Sequence, residues 1–150
     1  MDRIHVFASF DLDHDADLFD LLLTQSRPAT ALFAISGRSQ NGSSSDLCDP
    51  RLRSEISRAD EVVVICGEHT HESLRVSAEL AAAQEQDKPY LLLWGRRERM
   101  CTKPSAARPA DSMYSWTPAI LADQLQMTLR RAAPIEVPAS VRGAAAHRKG

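Results

Sequence analysis

Residues Val62 to Cys66 (VVVIC) form an unbroken apolar run dominated by β-branched side chains. A run this short, without polar alternation, is the pattern of a strand buried on both faces, as in a parallel sheet covered by helices on both sides. Gly67 ends the run, and Glu68-His69-Thr70-His71 leads into a helix predicted from about Glu72 to Gln86. Val76, Leu80 and Ala83 recur there at i, i+4 and i+7 and make one apolar face. Any fold for this chain has to place that strand at its centre.

The flanking sequence repeats the same alternation. Ile4 to Phe10 (IHVFASF) predicts a first strand, and Asp11 to Asp15 an acidic turn in which Asp13 could cap a helix reaching about Thr24. Ala31 to Ile35 predicts a second strand. Ser36 to Cys48 (SGRSQNGSSSDLC) has the composition of a mobile surface loop. Asp49-Pro50 is a strong helix start, followed by Leu52, Ile56 and Ala59 on one face. Tyr90 to Trp94 (YLLLW) predicts a fourth strand closed by Gly95, and Thr117-Pro118 opens a last helix with Leu121, Leu125 and Leu129. No element can be placed between Arg96 and Ser115. The order predicts an α/β fold, a doubly wound parallel sheet of four to five strands with helices on both faces. One domain is expected over residues 1–131, with residues 132–150 a disordered tail.

Composition removes several function classes. The formal net charge of −2 leaves no footprint for nucleic acid, and no apolar stretch approaches the ~18–20 residues of a membrane span. Three widely spaced cysteines (Cys48, Cys66, Cys101) without a CxxC pair argue for a reducing, cytoplasmic setting. Neither GxGxxG nor GxxxxGK[ST] is present, which argues against a standard dinucleotide or P-loop site. A phosphorelay receiver needs an acceptor carboxylate at the end of the central strand, where this chain has Ile65-Cys66-Gly67. His69-x-His71 with Glu68 or Glu72 could approach a metal, but zinc wants a further ligand, and loop hydrogen bonds are the commoner fate; no metal is expected. Cys66 reads as an inert core thiol, Arg96-Arg97-Glu98-Arg99 as a solvated turn, and Trp94 and Trp116 as core or edge aromatics.

Glu79 is the acid to weigh. At about 100° per residue it falls roughly 40–60° from Ala83 and Val76, at the edge of the apolar face. Helical geometry by itself favours a snorkelling surface glutamate. The alternative is a half-desolvated carboxylate near the carboxyl end of a central strand, where open α/β sheets bind ligands. The stripe of Leu74, Ala78 and Ala81 on the same helix offers a surface for self-association.

Several segments together carry a family resemblance: VFASFD (Val6–Asp11), ISGRS (Ile35–Ser39), RADEVVVICGEHTHES (Arg58–Ser73), AEL around Glu79, KPYLLLWG (Lys88–Gly95), CTKP (Cys101–Pro104) and MYSWT (Met113–Thr117). From about residue 4 to residue 130 the chain resembles the Thoeris-type TIR-like domain, a bacterial antiphage family. The resemblance implies a flavodoxin-like TIR fold and an enzyme that cleaves NAD at the nicotinamide–ribose bond. NAD is then substrate, with no cofactor, and the freed ADP-ribosyl group becomes a nucleotide signal that reaches a partner effector. Homo-oligomers are expected. Matched by motif, the catalytic glutamate is Glu79, and Ser36 to Cys48 corresponds to the loop that shapes the site. Substrate contacts are expected from Ser9, Phe10, Asp11, Arg38, Ser39 and His69. Val76, Ser77 and Ala78 stand where many TIR enzymes carry an aromatic residue or a Ser/Thr-Trp pair. The alternative function is a non-catalytic nucleotide-binding or protein-interaction module.

Overall fold

The computed structural model describes residues 3–40 and 49–132. Five strands, β1 (Ile4–Ser9), β2 (Phe33–Arg38), β3 (Glu61–Cys66), β4 (Tyr90–Trp94) and β5 (Met113–Ser115), form one sheet in the order β2-β1-β3-β4-β5. Every neighbouring pair is parallel. Four helices connect or follow them: α1 (Ala16–Ser26), α2 (Pro50–Arg58), α3 (Leu74–Glu85) and α4 (Pro118–Ala132). All six residues of β3 are buried. Val63 and Ile65 pack with Leu18, Phe19 and Leu22 of α1 and with Leu121 and Leu125 of α4. Val62, Val64 and Cys66 pack instead with Leu52 and Ile56 of α2 and with Val76, Leu80 and Ala83 of α3. The apolar run is thus divided residue by residue between two cores, as the pleat requires. Among the described residues no helix is long and apolar enough to cross a membrane.

The differences from the sequence reading have local causes. β2 begins at Phe33 and continues to Arg38, so Ser36, Gly37 and Arg38 are strand rather than loop. Pairing of Gly37 with Phe7 and Arg38 with Ala8, past a register shift between Val6 and Phe7, supplies backbone partners that composition cannot reveal. Residues 41–48 of the expected loop, and all of the expected tail beyond Ala132, lie outside the described residues. α1 starts at Ala16, not beside Asp13. The Asp11 side chain accepts the Asp13 N–H at 3.0 Å, and the Asp11 carbonyl accepts the N–H groups of His14 and Asp15, so the chain makes a turn before the helix begins. A short 3₁₀ turn, Thr70–Glu72, precedes α3, whose cap is Ser73 through Val76 N–H at 3.1 Å. β5 is a three-residue edge strand in the stretch left unplaced. Ala78 is buried, so the apolar stripe proposed on α3 loses its middle residue; Leu74, 73% exposed, stands out on it.

Candidate active site

Sheets of this order change winding direction between β1 and β3, and ligands bind beyond the carboxyl ends of the strands at that switch point. Ser9 is the last residue of β1, Ser39 directly follows β2, and Glu79 lies in the second turn of α3, the helix after β3. The three meet there. Ser9 Oγ and Ser39 Oγ each donate to Glu79 Oε1 at 2.6 Å. Ser39 Oγ also accepts the Phe10 N–H at 3.1 Å, while Ser39 N–H donates to the Ala8 carbonyl at 3.0 Å. An ionised carboxylate only accepts, so with the Phe10 N–H on one of its lone pairs the Ser39 hydroxyl gives its single proton to Glu79.

Glu79 is 2% exposed, which overturns the surface-glutamate reading. Burial pushes its carboxyl up to about 7, against the pull of the Ser39 and Ser9 hydroxyls and the charge of Arg75. Removing Ser39 Oγ should be costly, because the buried Phe10 N–H then has no acceptor and Glu79 loses a donor. Ser39→Ala is expected to lower unfolding free energy in urea by about 1–3 kcal/mol. A loss within experimental error would mean that another group replaces the hydroxyl.

A cavity of about 450 Å³ is walled by Asp11 to His14, just past β1, and by Glu72 to Arg75, at the start of α3; Ser9, Ser39 and Glu79 are not in its lining. Arg75 stands one turn before Glu79. His14 separates it from a second cavity of about 240 Å³, bordered by Asp15, His69 and Arg96 among others. Asp11 Oδ2 meets His14 Nδ1 at 2.8 Å, and the His14 ring stacks on His69 with centroids 4.0 Å apart. Asp11 and His69 therefore join the site through His14, a residue the sequence reading passed over inside the acidic turn.

Arg38 is placed differently. Its guanidinium lies 4.4 Å from the Phe19 ring centre and 5.4 Å from that of Phe10, the two rings being stacked at 4.9 Å. Phe10 and Phe19 belong to the α1 core, so Arg38 sits across Ser39 from the α3 helix that carries Glu79. Arg96 is not a solvated turn residue. It bonds Asp15 at 3.0 Å, Asp17 at 2.8 Å and the His14 carbonyl at 3.0 Å, and so ties the β1–α1 loop to the end of β4. Among the described residues no group of three His, Cys, Asp or Glu is placed to hold a metal ion, and His71 Nδ1 is engaged by Thr102 Oγ1 at 2.9 Å. Cys66 is fully buried, and burial raises its thiol well above the usual range, which removes it as a nucleophile.

Residues 7–99 match the family model described as Thoeris protein ThsB, TIR-like domain. The chain belongs to that family. The match runs from within β1 to just past β4 and includes Ser9, Ser39, Glu79 and Arg96 of the TIR-like domain, but stops short of β5 and α4. Among solved structures, the crystal structure of a prokaryotic SEFIR domain is 17% identical, covering 90% of this chain and 97% of that chain with a TM-score of 0.49. No curated protein matches.

Proposed function

We propose that this TIR-like domain breaks the nicotinamide–ribose bond of NAD, with Glu79 as the catalytic carboxylate, and that the ADP-ribosyl product serves as a nucleotide signal to an effector in antiphage defence. The observation that carries the reading is a buried carboxylate fixed by two serine hydroxyls at the switch point, one helical turn from Arg75, which borders a cavity of about 450 Å³. That volume lies within the range of small-molecule and cofactor sites.

The chemistry suits the parts. Nicotinamide leaves a cationic pyridinium as a neutral molecule, so its departure needs no general acid. The bond's electron pair goes to the ring nitrogen and leaves an oxocarbenium-like ribosyl cation. A carboxylate held in a site drier than water stabilises that charge without reorganising. A positively charged substrate in turn favours the ionised form of Glu79, which at neutral pH is near balance between its two forms. Ser9 and Ser39 then act on the carboxylate rather than on the substrate.

Nicotinamide release from NAD by the purified protein tests this reading. Glu79→Gln is expected to lower the rate by at least about 100-fold, the size of effect seen when one stabilising group is removed from a developing charge. Undiminished release in that variant would remove Glu79 from the chemistry. The burial of Glu79 favours a second reading, a nucleotide-binding module without turnover. It predicts ligand-induced thermal stabilisation with no nicotinamide released, and tolerance of Glu79→Gln.

A further inference from the structure

We infer that His14 is a second catalytic residue, the general base that takes the proton when the ribosyl cation is captured. The inference rests on the NAD-cleaving reading and completes its balance. Departure of nicotinamide requires no proton, but capture by water does: the water oxygen bonds to C1′ and one O–H proton must go elsewhere. Capture by a hydroxyl of the substrate itself, as in ring closure, has the same requirement. Glu79 is 2% exposed and its Oε1 already accepts two serine hydroxyls, so an exposed group bordering the cavity is better placed to accept that proton.

The geometry around His14 meets the need. A carboxylate offers only lone pairs, so the 2.8 Å contact with Asp11 Oδ2 places the ring proton on Nδ1 and leaves Nε2 as the acceptor. Asp11 is itself held, because its other oxygen accepts the Asp13 N–H at 3.0 Å and its carboxyl is largely buried. Stacking on His69 fixes the plane of the ring. The His14 side chain remains 47% exposed and borders both cavities, in the same wall as Asp11 and facing Arg75. A base oriented by a carboxylate through its far nitrogen is the arrangement general-base catalysis requires.

The surrounding charges are mixed. Asp11, Asp13 and Asp15 come from the loop of His14 itself, Glu72 and Arg75 from the start of α3, and Glu68, His69, Arg96 and Arg99 from the loops after β3 and β4. The Asp11 hydrogen bond dominates and raises the imidazole above the ordinary histidine value, opposed by partial desolvation.

Base exchange separates this role from a structural one. A pyridine such as 3-acetylpyridine attacks C1′ through a nitrogen that carries no proton, so exchange needs the cation stabilised but needs no base. His14→Asn is expected to lower hydrolysis and any cyclisation by about 10²–10⁴-fold while leaving exchange within about threefold of the parent. Glu79→Gln is expected to lose both. In the parent, hydrolysis should fall at acid pH through two protonations and exchange through one; in His14→Asn the second is gone. Equal loss of exchange and hydrolysis in His14→Asn, or loss of neither, overturns the inference while leaving the reading of Glu79 intact. Parent protein that releases no nicotinamide overturns both.

Discussion

Glutamine in place of Glu61 is expected to stabilise the fold by up to about 5 kcal/mol near pH 9, and to change it little near pH 4. Glu61 opens β3 at the end of the sheet opposite the candidate site, and it is fully buried. Neither carboxyl oxygen has a hydrogen-bond partner. Burial pushes the group from 4.5 to about 8; the Thr128 side chain of α4, which makes no formed hydrogen bond to it, pulls the other way, and the charge of Asp60 adds to the rise. Below about 4.5 both folded and unfolded chains hold the proton, and the group contributes no pH dependence. Between about 4.5 and 8 the unfolded chain gives the proton up and the folded chain keeps it, so stability falls as pH rises, and it levels off above about 8. At about 1.4 kcal/mol per pH unit, that interval gives the 5 kcal/mol ceiling. The glutamine amide needs partners of its own, which brings the gain below the ceiling. Urea denaturation of both proteins across this range reads the effect directly. A constant difference between them at all pH values would place the Glu61 carboxyl in water. Glu79 acts with the same sign, but its window closes near 7, so its contribution is already flat where that of Glu61 is still growing.

The architecture was legible where one local signal sufficed. The apolar runs at Val62–Cys66 and Tyr90–Trp94 became β3 and β4, and Asp49-Pro50 caps and opens α2. Contacts made across the chain were not legible. The helical wheel placed Glu79 at the edge of an apolar face, yet Ser9 and Ser39, separated from it by 70 and 40 positions, are what enclose it. Asp13 looked like a helix cap because the sequence does not show that the Asp11 side chain claims its N–H. Arg96 looked solvated for a related reason, since its partners Asp15 and Asp17, at the cap and first turn of α1, stand 81 and 79 positions earlier. His14 carried a weak signal, a histidine three places after an aspartate in a turn, but its partner His69 comes from the loop after β3.

Gly67→Ala is expected to cost about 1–3 kcal/mol, the penalty for forcing an extra methyl group into a packed site. A Cβ at Gly67 would come within 2.6 Å of Asp15 Oδ1 and 2.7 Å of Asp15 Cγ, and closer still to Oδ2. A long side chain could swing aside. Asp15 is short, 1% exposed and bonded to Arg96 at 3.0 Å, so it can yield only by abandoning that pair. The glycine after β3 is therefore required by a carboxylate from the turn after β1. The same turn carries Asp11 and His14, which makes Gly67 part of what positions the candidate site. A double-mutant cycle with Asp15→Ala checks the cause: once the carboxylate is gone, Gly67→Ala should cost less than about 1 kcal/mol. An undiminished cost in the Asp15→Ala background would show that alanine is refused by the backbone instead. Gly95→Ala supplies the contrast, because its Cβ would meet the Cys66 carbonyl oxygen at 2.7 Å and Leu18 Cδ1 at 2.7 Å. Its penalty should be unaffected by Asp15→Ala, since a main-chain oxygen of the central strand cannot be removed by changing a side chain.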